Sequence, residues 1–241
     1  MKHHLSAALV ASLLFAAPAL AKTDKTPPGA PCEKDNGNPC NGNNGNPGEQ
    51  GNAKPKVGVV TNPQPFVIAR PGNDRGAFID QIGDDNAATI AQASNGQYAR
   101  IVQTGDRNVA SAAQFGTGAH YATIGQTGDA NRVELTQAGS GVQVALLAQT
   151  GDRNAMTVNQ QGSLVSSGVA ALQTGNDNTM RLDQNGEGNQ ARLIQDGNDN
   201  TMTAIQNGVN NQLAWTQTGN GLSDLQITQS GNQAIAITQS K

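Results

Sequence analysis

Apolar and polar residues alternate in short runs that recur along the chain from about Arg75 to its last residue. Each run ends in a glutamine, with apolar residues two and four positions before it, as in Val133 and Leu135 before Gln137. The positions between hold mostly Thr, Arg, Asp, Glu or Ser. Period-two alternation is typical of β-strands with one buried face. The pattern therefore predicts a series of short strands.

The glutamines that end these runs are spaced by 10 to 13 residues, most often by 11. Two positions after nearly every glutamine lies a glycine, which supplies the positive φ that a tight corner requires. Six positions before each glutamine from Gln92 onward lies a side chain that can form hydrogen bonds, most often asparagine. The glutamines are Gln81, Gln92, Gln103, Gln114, Gln126, Gln137, Gln149, Gln160, Gln173, Gln184, Gln195, Gln206, Gln217, Gln229 and Gln239.

Every second turn along the chain has a similar sequence, whereas successive turns differ. The repeating unit therefore contains two strands. The segment "TGDRN" begins at Thr104 and again at Thr150, and related "GDDN" and "GDAN" turns follow Gln81 and Gln126. A strand-turn-strand-turn unit of about 22 residues cannot bury its narrow apolar stripe unless it stacks on copies of itself. The sequence predicts an all-β, amyloid-like β-solenoid of about seven and a half such units, spaced by ~4.8 Å.

Inward glutamines and asparagines of the stacked units are predicted to form amide ladders. A buried amide must be paired, and amides in a column pair with the copies above and below them except at the two ends. We expect unpaired amides and open strand edges at both ends of the stack, which would join copies head to tail into a filament. The predicted polymerisation ladder consists of Gln81, Asn86, Gln103, Asn108, Gln126, Asn131, Gln149, Asn154, Gln173, Asn178, Gln195, Asn200, Gln217, Gln229 and Gln239.

Three regions are predicted along the chain. Residues 1–21 carry an early positive charge, an apolar run and a small-residue cleavage site, the features of a secretory signal peptide. Residues 22–74 are rich in Gly, Asn and Pro and are predicted to be a flexible arm, in which "PFVIAR" at residues 65–70 is either a short strand or a docking tag. Cys32 and Cys40 are interpreted as a local disulfide or free thiols rather than metal ligands. Residues 75–241 form the predicted solenoid.

The motif Gln-x-Gly-x-x-Asn-x-Ala-x3-Gln, which runs from Gln81 to Gln92 and again from Gln103 to Gln114, resembles the curlin repeat of curli fibre subunits. The resemblance implies a secreted subunit of a bacterial functional amyloid, exported through the periplasm of a Gram-negative bacterium and polymerised on the cell surface for adhesion and biofilm. It implies as partners other copies of the chain, a nucleator subunit and an outer-membrane secretion pore with accessory chaperones. A role as the minor nucleator stays open.

The resemblance also assigns roles to single residues. Ladder residues in the terminal repeats favour seeding in that family, which corresponds here to Gln81 and Asn86 at one end and to Gln229 and Gln239 at the other. Asp and Gly residues of inner repeats act there as gatekeepers against uncontrolled assembly. The candidate gatekeepers here are Asp106, Asp129 and Asp152.

Composition argues against several other functions. A net charge of −3 without a basic cluster argues against nucleic acid, and no segment predicts membrane insertion. The aspartates Asp84, Asp106, Asp129 and Asp152 would stack in one column, which could bind Ca²⁺ but is better explained as turn chemistry. His120 occupies an asparagine slot and is interpreted as a ladder substitute, so we predict no catalytic set, no metal and no cofactor. A polysaccharide lyase or a monomeric surface-binding solenoid is the alternative function.

Overall fold

The computed structural model describes residues 55–241, and this part of the chain is composed of β-strands and turns. No helix capable of crossing a membrane occurs within it. The strands are β1 (Lys56–Thr61), β2 (Gly76–Ile82), β3 (Ala87–Gln92), β4 (Tyr98–Thr104), β5 (Val109–Phe115), β6 (Tyr121–Thr127), β7 (Arg132–Ala138), β8 (Gln143–Thr150), β9 (Ala155–Gln161), β10 (Ser167–Thr174), β11 (Thr179–Asn185), β12 (Gln190–Asp196), β13 (Thr201–Asn207), β14 (Gln212–Thr218), β15 (Leu225–Ser230) and β16 (Ala234–Ser240).

The strands form two sheets in which every second strand along the chain is a neighbour. Sheet A has nine strands in the order β1-β16-β14-β12-β10-β8-β6-β4-β2, and sheet B has seven in the order β15-β13-β11-β9-β7-β5-β3. Apart from β1, all neighbours are parallel and in register, with glutamine opposite glutamine in each pair. The predicted β-solenoid is confirmed, and each turn of it, called a rung below, contains 22 to 24 residues.

The hydrophobic core lies between the two sheets and follows the predicted apolar columns. Residues two and four before each ladder glutamine point inward, among them Ile101, Leu135, Met156 and Leu193. Trp215 occupies one of these columns and is buried. Burial of one such large apolar side chain contributes roughly 1.5–3 kcal/mol, so a slender core repeated over many rungs can hold the stack together.

The corners between strands need glycine for two reasons. Gly105 has a φ of 111°, and a Cβ built on it would collide with the carbonyl oxygen of Gly128 in the next rung. Arg107, two residues after Gly105 in the same corner, also has a positive φ of 56°. The equivalent corners repeat this geometry, so the glycine after the ladder glutamine is fixed both by its own backbone and by the rung stacked on it.

Part of the predicted flexible arm is ordered, which corrects the prediction for residues 55–74. β1 pairs antiparallel with β16 along its whole length, and residues 62–75, called the strap below, connect β1 to β2 at the opposite end of the stack. The prediction of an open edge beside Lys241 is therefore wrong for sheet A. Residues 1–54, with the predicted signal peptide, Cys32 and Cys40, lie outside the described residues.

Candidate functional site

Two glutamine ladders run through the solenoid, one in each sheet. In both, the side-chain Nε2 of each glutamine donates to the Oε1 of the glutamine in the next rung toward the C-terminal end, at 2.6 to 2.9 Å. The sheet A ladder contains Gln81, Gln103, Gln126, Gln149, Gln173, Gln195, Gln217 and Gln239. The sheet B ladder contains Gln92, Gln114, Gln137, Gln160, Gln184, Gln206 and Gln229.

The second hydrogen of the ladder amides in the inner rungs joins the two sheets. Gln126 in sheet A donates to the backbone oxygen of Val109 in sheet B at 3.2 Å, and Gln137 in sheet B donates to that of Tyr121 in sheet A at 3.3 Å. Both glutamines are fully buried. Each amide therefore satisfies its donors and its acceptor only when a rung lies on either side, as a buried polar group requires.

An asparagine ladder lies beside the corners. In it, the Oδ1 of one asparagine accepts the backbone N–H of the next, as Asn108 does from Asn131 at 3.0 Å. The Nδ2 of the same Asn108 donates to the carbonyl of Gly128 at 2.7 Å, so both ends of the side chain bind the backbone of the following rung. This ladder contains Asn86, Asn108, Asn131, Asn154, Asn178 and Asn200.

His120 belongs to the equivalent column on the other side of the core, with Gln97, Gln143, Ser167, Asn189 and Asn211. Its Nε2 lies 2.9 Å from the carbonyl oxygen of Phe115 in its own corner, and its Nδ1 has no hydrogen-bond partner. Burial lowers the pKa of His120 below its ordinary value, and the hydrogen bond to the Phe115 carbonyl opposes this only in part. A buried neutral imidazole in an amide slot is a structural residue, in line with the sequence interpretation.

The glutamine ladders give the stack a chemical direction. At the N-terminal end, Gln81 is exposed and its Oε1 accepts no hydrogen bond from the described residues, while its Nε2 donates to Gln103. At the C-terminal end, Gln239 donates to the Ser223 carbonyl at 3.1 Å and has one hydrogen left over in the described structure. One end thus offers an acceptor and the other a donor.

The second ladder ends differently. The Nε2 of Gln229 donates to the backbone oxygens of Gln212 and Gln233, so both of its hydrogens are used within the chain. The sequence grouped Gln229 with Gln239, but the two residues terminate separate ladders. Of these two terminal ladder glutamines, Gln239 is the one with an unused donor in the described structure.

The predicted gatekeeper aspartates hold the corners together by backbone hydrogen bonds. The Oδ1 of Asp106 accepts the N–H of Asp84, and Asp129 and Asp152 accept the N–H of the aspartate in the preceding rung, at 2.8 to 2.9 Å. In later rungs Asn176 fills the same position with its amide oxygen at 2.8 Å. No group of three or more potential metal ligands occurs among residues 55–241. The geometry favours turn chemistry for this column.

The comparison with protein families bears on this repeated arrangement. Residues 175–208, which run from one corner glycine through β11, β12 and β13 to the corner glycine that follows β13, match the family model of the curlin associated repeat. This segment is therefore a curlin associated repeat. The matched region is well under half of the chain, but the same glutamine, glycine and asparagine geometry recurs in the other rungs. No curated protein and no solved structure matches the chain.

The sequence found the sheet A ladder but left most of the sheet B ladder out of its candidate residues. The omitted glutamines had the same spacing and the same apolar neighbours, so the signal was present. To recognise a second ladder, one must know which strands stack on each other, and this is known only once alternate strands are assigned to two sheets. The omitted residues are Gln92, Gln114, Gln137, Gln160, Gln184 and Gln206.

Proposed function

We propose that this curlin-repeat protein is a secreted structural subunit of a curli-like functional amyloid fibre, in which copies polymerise head to tail. Each copy would add its rungs to the stack of the preceding one and extend the amide ladders without interruption. The fibre would lie outside the cell, on the surface of a Gram-negative bacterium, and serve adhesion and biofilm structure.

The observation that carries the proposal is the direction of the sheet A ladder. The free Oε1 of Gln81 at one end and the free Nε2 hydrogen of Gln239 at the other are complementary. A head-to-tail contact would pair them, whereas a contact between two N-terminal ends would place acceptor against acceptor. Because the contact uses two different surfaces, it would repeat without closing.

The exposed apolar groups of the N-terminal face support the same contact. Ile79 is 48% exposed, although Ile101 at the same position in the next rung is fully buried. Ala88 and Ile90 of β3 are likewise only partly covered. A copy stacked on this face would bury the residues that every inner rung buries, which favours association through the hydrophobic effect.

The proposal is tested by incubating the purified mature chain with thioflavin T, imaging it by electron microscopy and recording fibre diffraction. We expect unbranched fibres with a ~4.8 Å meridional reflection. In a seeded assay, Gln81→Leu should slow elongation, while Gln161→Leu, an exposed glutamine on β9, should leave it unchanged. A chain that remains monomeric at high concentration for days would contradict the proposal.

One observation favours the alternative of a monomeric surface-binding solenoid. β1 covers the edge of β16, so one of the two growth surfaces is already occupied within the chain. The same assay decides between the two functions, since a monomeric solenoid would give neither thioflavin binding nor fibres. The nucleator subunit, the secretion pore and its chaperones belong to the proposal as partners that the curlin repeat implies.

A further inference from the structure

β1 occupies the position that a further rung of sheet A would take. Val57 lies opposite Gln239 and Val59 opposite Ile237, so the side of β1 that faces the core carries valine where every other strand of the sheet carries the ladder glutamine. β1 also runs antiparallel to its neighbour, unlike the other strands of the sheet. A second copy could not continue the solenoid on β1, because β1 has no ladder glutamine and runs in the opposite direction to the other strands of sheet A.

β1 is held by few contacts of its own. All six of its residues are exposed, because sheet B ends at β15 and places no strand across from it. A strand that buries no side chain gains little beyond its backbone hydrogen bonds, each worth about 1 kcal/mol net. Its attachment to β16 therefore depends on the strap that follows it.

The strap is docked along the outer face of sheet A by specific contacts. Ile68 is only 8% exposed and packs against Tyr121, Val144 and Ala170. Its backbone N–H donates to the Oε1 of Gln190 at 2.9 Å in a buried position. The alternate residue Val67, by contrast, is 73% exposed.

Residues on the outer face of sheet A bind the strap and leave room for it. The N–H of Phe66 donates to the Oε1 of Gln212 at 3.2 Å, and the Arg192 guanidinium lies 5.0 Å from the Phe66 ring centroid. A Cβ built on Gly168 would lie 2.7 Å from the Cβ of Ile68, so a side chain at this position would exclude the strap. At the equivalent position the strands near the N-terminal end carry the larger Tyr98 and Tyr121.

We propose that β1 and the strap form a detachable cover of the C-terminal growth surface, and that β2 of a second copy competes with β1 for the edge of β16. This inference rests on the proposed fibre assembly. The incoming β2 would bring Gln81 to Gln239 and Ile79 to Ile237 in the parallel register of the solenoid, while β3 would extend sheet B on β15. The incoming copy would thus replace the exposed strand β1 with two strands, β2 and β3, and would continue the hydrophobic core.

Competition of this kind makes elongation dependent on concentration and on release of the strap. An intramolecular strand competes at an effective concentration in the millimolar range for a short tether. The apparent affinity of an incoming copy is reduced by the fraction of chains that are uncovered. The cover would keep dilute chains monomeric and permit growth where chains accumulate or add to an existing fibre end.

The test compares two neighbouring charge substitutions in the mature chain. Ile68→Asp places a carboxylate in the apolar contact of the strap and should release the cover, so the lag before thioflavin fluorescence should shorten several-fold. Val67→Asp adds the same charge at an exposed position of the strap and should behave as the unmodified chain. Amide hydrogen exchange in residues 56–61 should rise in Ile68→Asp alone.

A disulfide supplies the opposite perturbation. Val60 and Ala236 are direct partners across β1 and β16, and both side chains point away from the core. In a background with Cys32→Ser and Cys40→Ser, the pair Val60→Cys and Ala236→Cys should suppress elongation when oxidised. Addition of a reductant should restore it to the rate of the background chain.

The outcomes separate this inference from the proposed function. If all chains form fibres at the same rate and the oxidised disulfide has no effect, the cover is wrong and the fibre function stands. If neither Ile68→Asp nor the reduced chain forms fibres under any condition, the proposed function fails and the cover with it. Acceleration by Ile68→Asp together with arrest by the disulfide would support both.

Discussion

Replacement of one ladder glutamine in the middle of the stack tests whether the ladders stabilise the fold. Gln160 is 1% exposed, accepts from Gln137 at 2.9 Å, and donates to Gln184 at 2.9 Å and to the Val144 carbonyl at 3.3 Å. Its neighbour Gln161 lies on the same strand and is exposed. Gln160→Leu and Gln161→Leu are therefore a matched pair of the same chemical change.

The cost of Gln160→Leu follows from the groups that it leaves without partners. One Nε2 hydrogen of Gln137 and the Oε1 of Gln184 lose their hydrogen bonds inside a dry core, and each unsatisfied group costs about 1–3 kcal/mol. We expect the free energy of unfolding to fall by about 3–4 kcal/mol, since leucine offsets part of the loss by apolar burial. Gln161→Leu should change it by less than about 0.5 kcal/mol.

Urea unfolding followed by far-ultraviolet circular dichroism, at a concentration where sedimentation shows a monomer, measures the difference. With a slope of about 2–3 kcal/mol/M, the midpoint of Gln160→Leu should lie about 1–2 M below that of the unmodified chain. Equal midpoints for the two variants would refute the reasoning, because the buried amide would then contribute no more than an exposed one.

Further predictions concern the corners and the buried imidazole. Gly105→Ala should lower the free energy of unfolding by at least about 2 kcal/mol through its positive φ and the collision with the next rung, whereas Gly125→Ala, whose Cβ would meet open space, should be tolerated in the same urea assay. Because burial lowers the pKa of His120, the protein should lose stability as pH falls below the ordinary value of about 6.5 toward the lowered one; His120→Gln should reduce this loss in thermal melts at pH 5 and 7. In Asp129→Asn the amide oxygen can still accept the N–H of Asp106, as Asn176 accepts the N–H of Asp152. The substitution removes one charge from a column of like charges, so it should stabilise the fold by about 1 kcal/mol and speed fibre growth at low salt. Both effects should be smaller at high salt. Unchanged melts or growth rates in these variants would contradict the respective mechanism.

The rungs could be predicted from the sequence because their determinants are local. The alternation that ends in Gln137, the glycine after it and the asparagine before it each specify strand, corner and ladder within one repeat. In-register stacking then follows, since a shift by one residue would move apolar residues to the outer face. Every inner rung obeys this rule.

The cover could not be predicted because its contacts are remote in sequence and chemically unremarkable. Ile68 contacts Gln190 across 122 residues, and a backbone hydrogen bond to an amide has no sequence signature. Composition predicted that residues 22–74 form no core of their own, and residues 55–74 pack instead on the solenoid. The last part of that region is ordered because the solenoid supplies the apolar surface, which is a tertiary effect.

The register between copies tests the central claim most directly. In a background with Cys32→Ser and Cys40→Ser, chains with Thr238→Cys and chains with Asp80→Cys are mixed, grown into fibres under reducing conditions and then oxidised. Continuation of the ladder places residue 238 of one copy beside residue 80 of the next, about 5 Å apart as in any parallel neighbour pair. The account predicts cross-linked dimers that contain one chain of each kind. Dimers of two Thr238→Cys chains, or fibres without any cross-link, would contradict it.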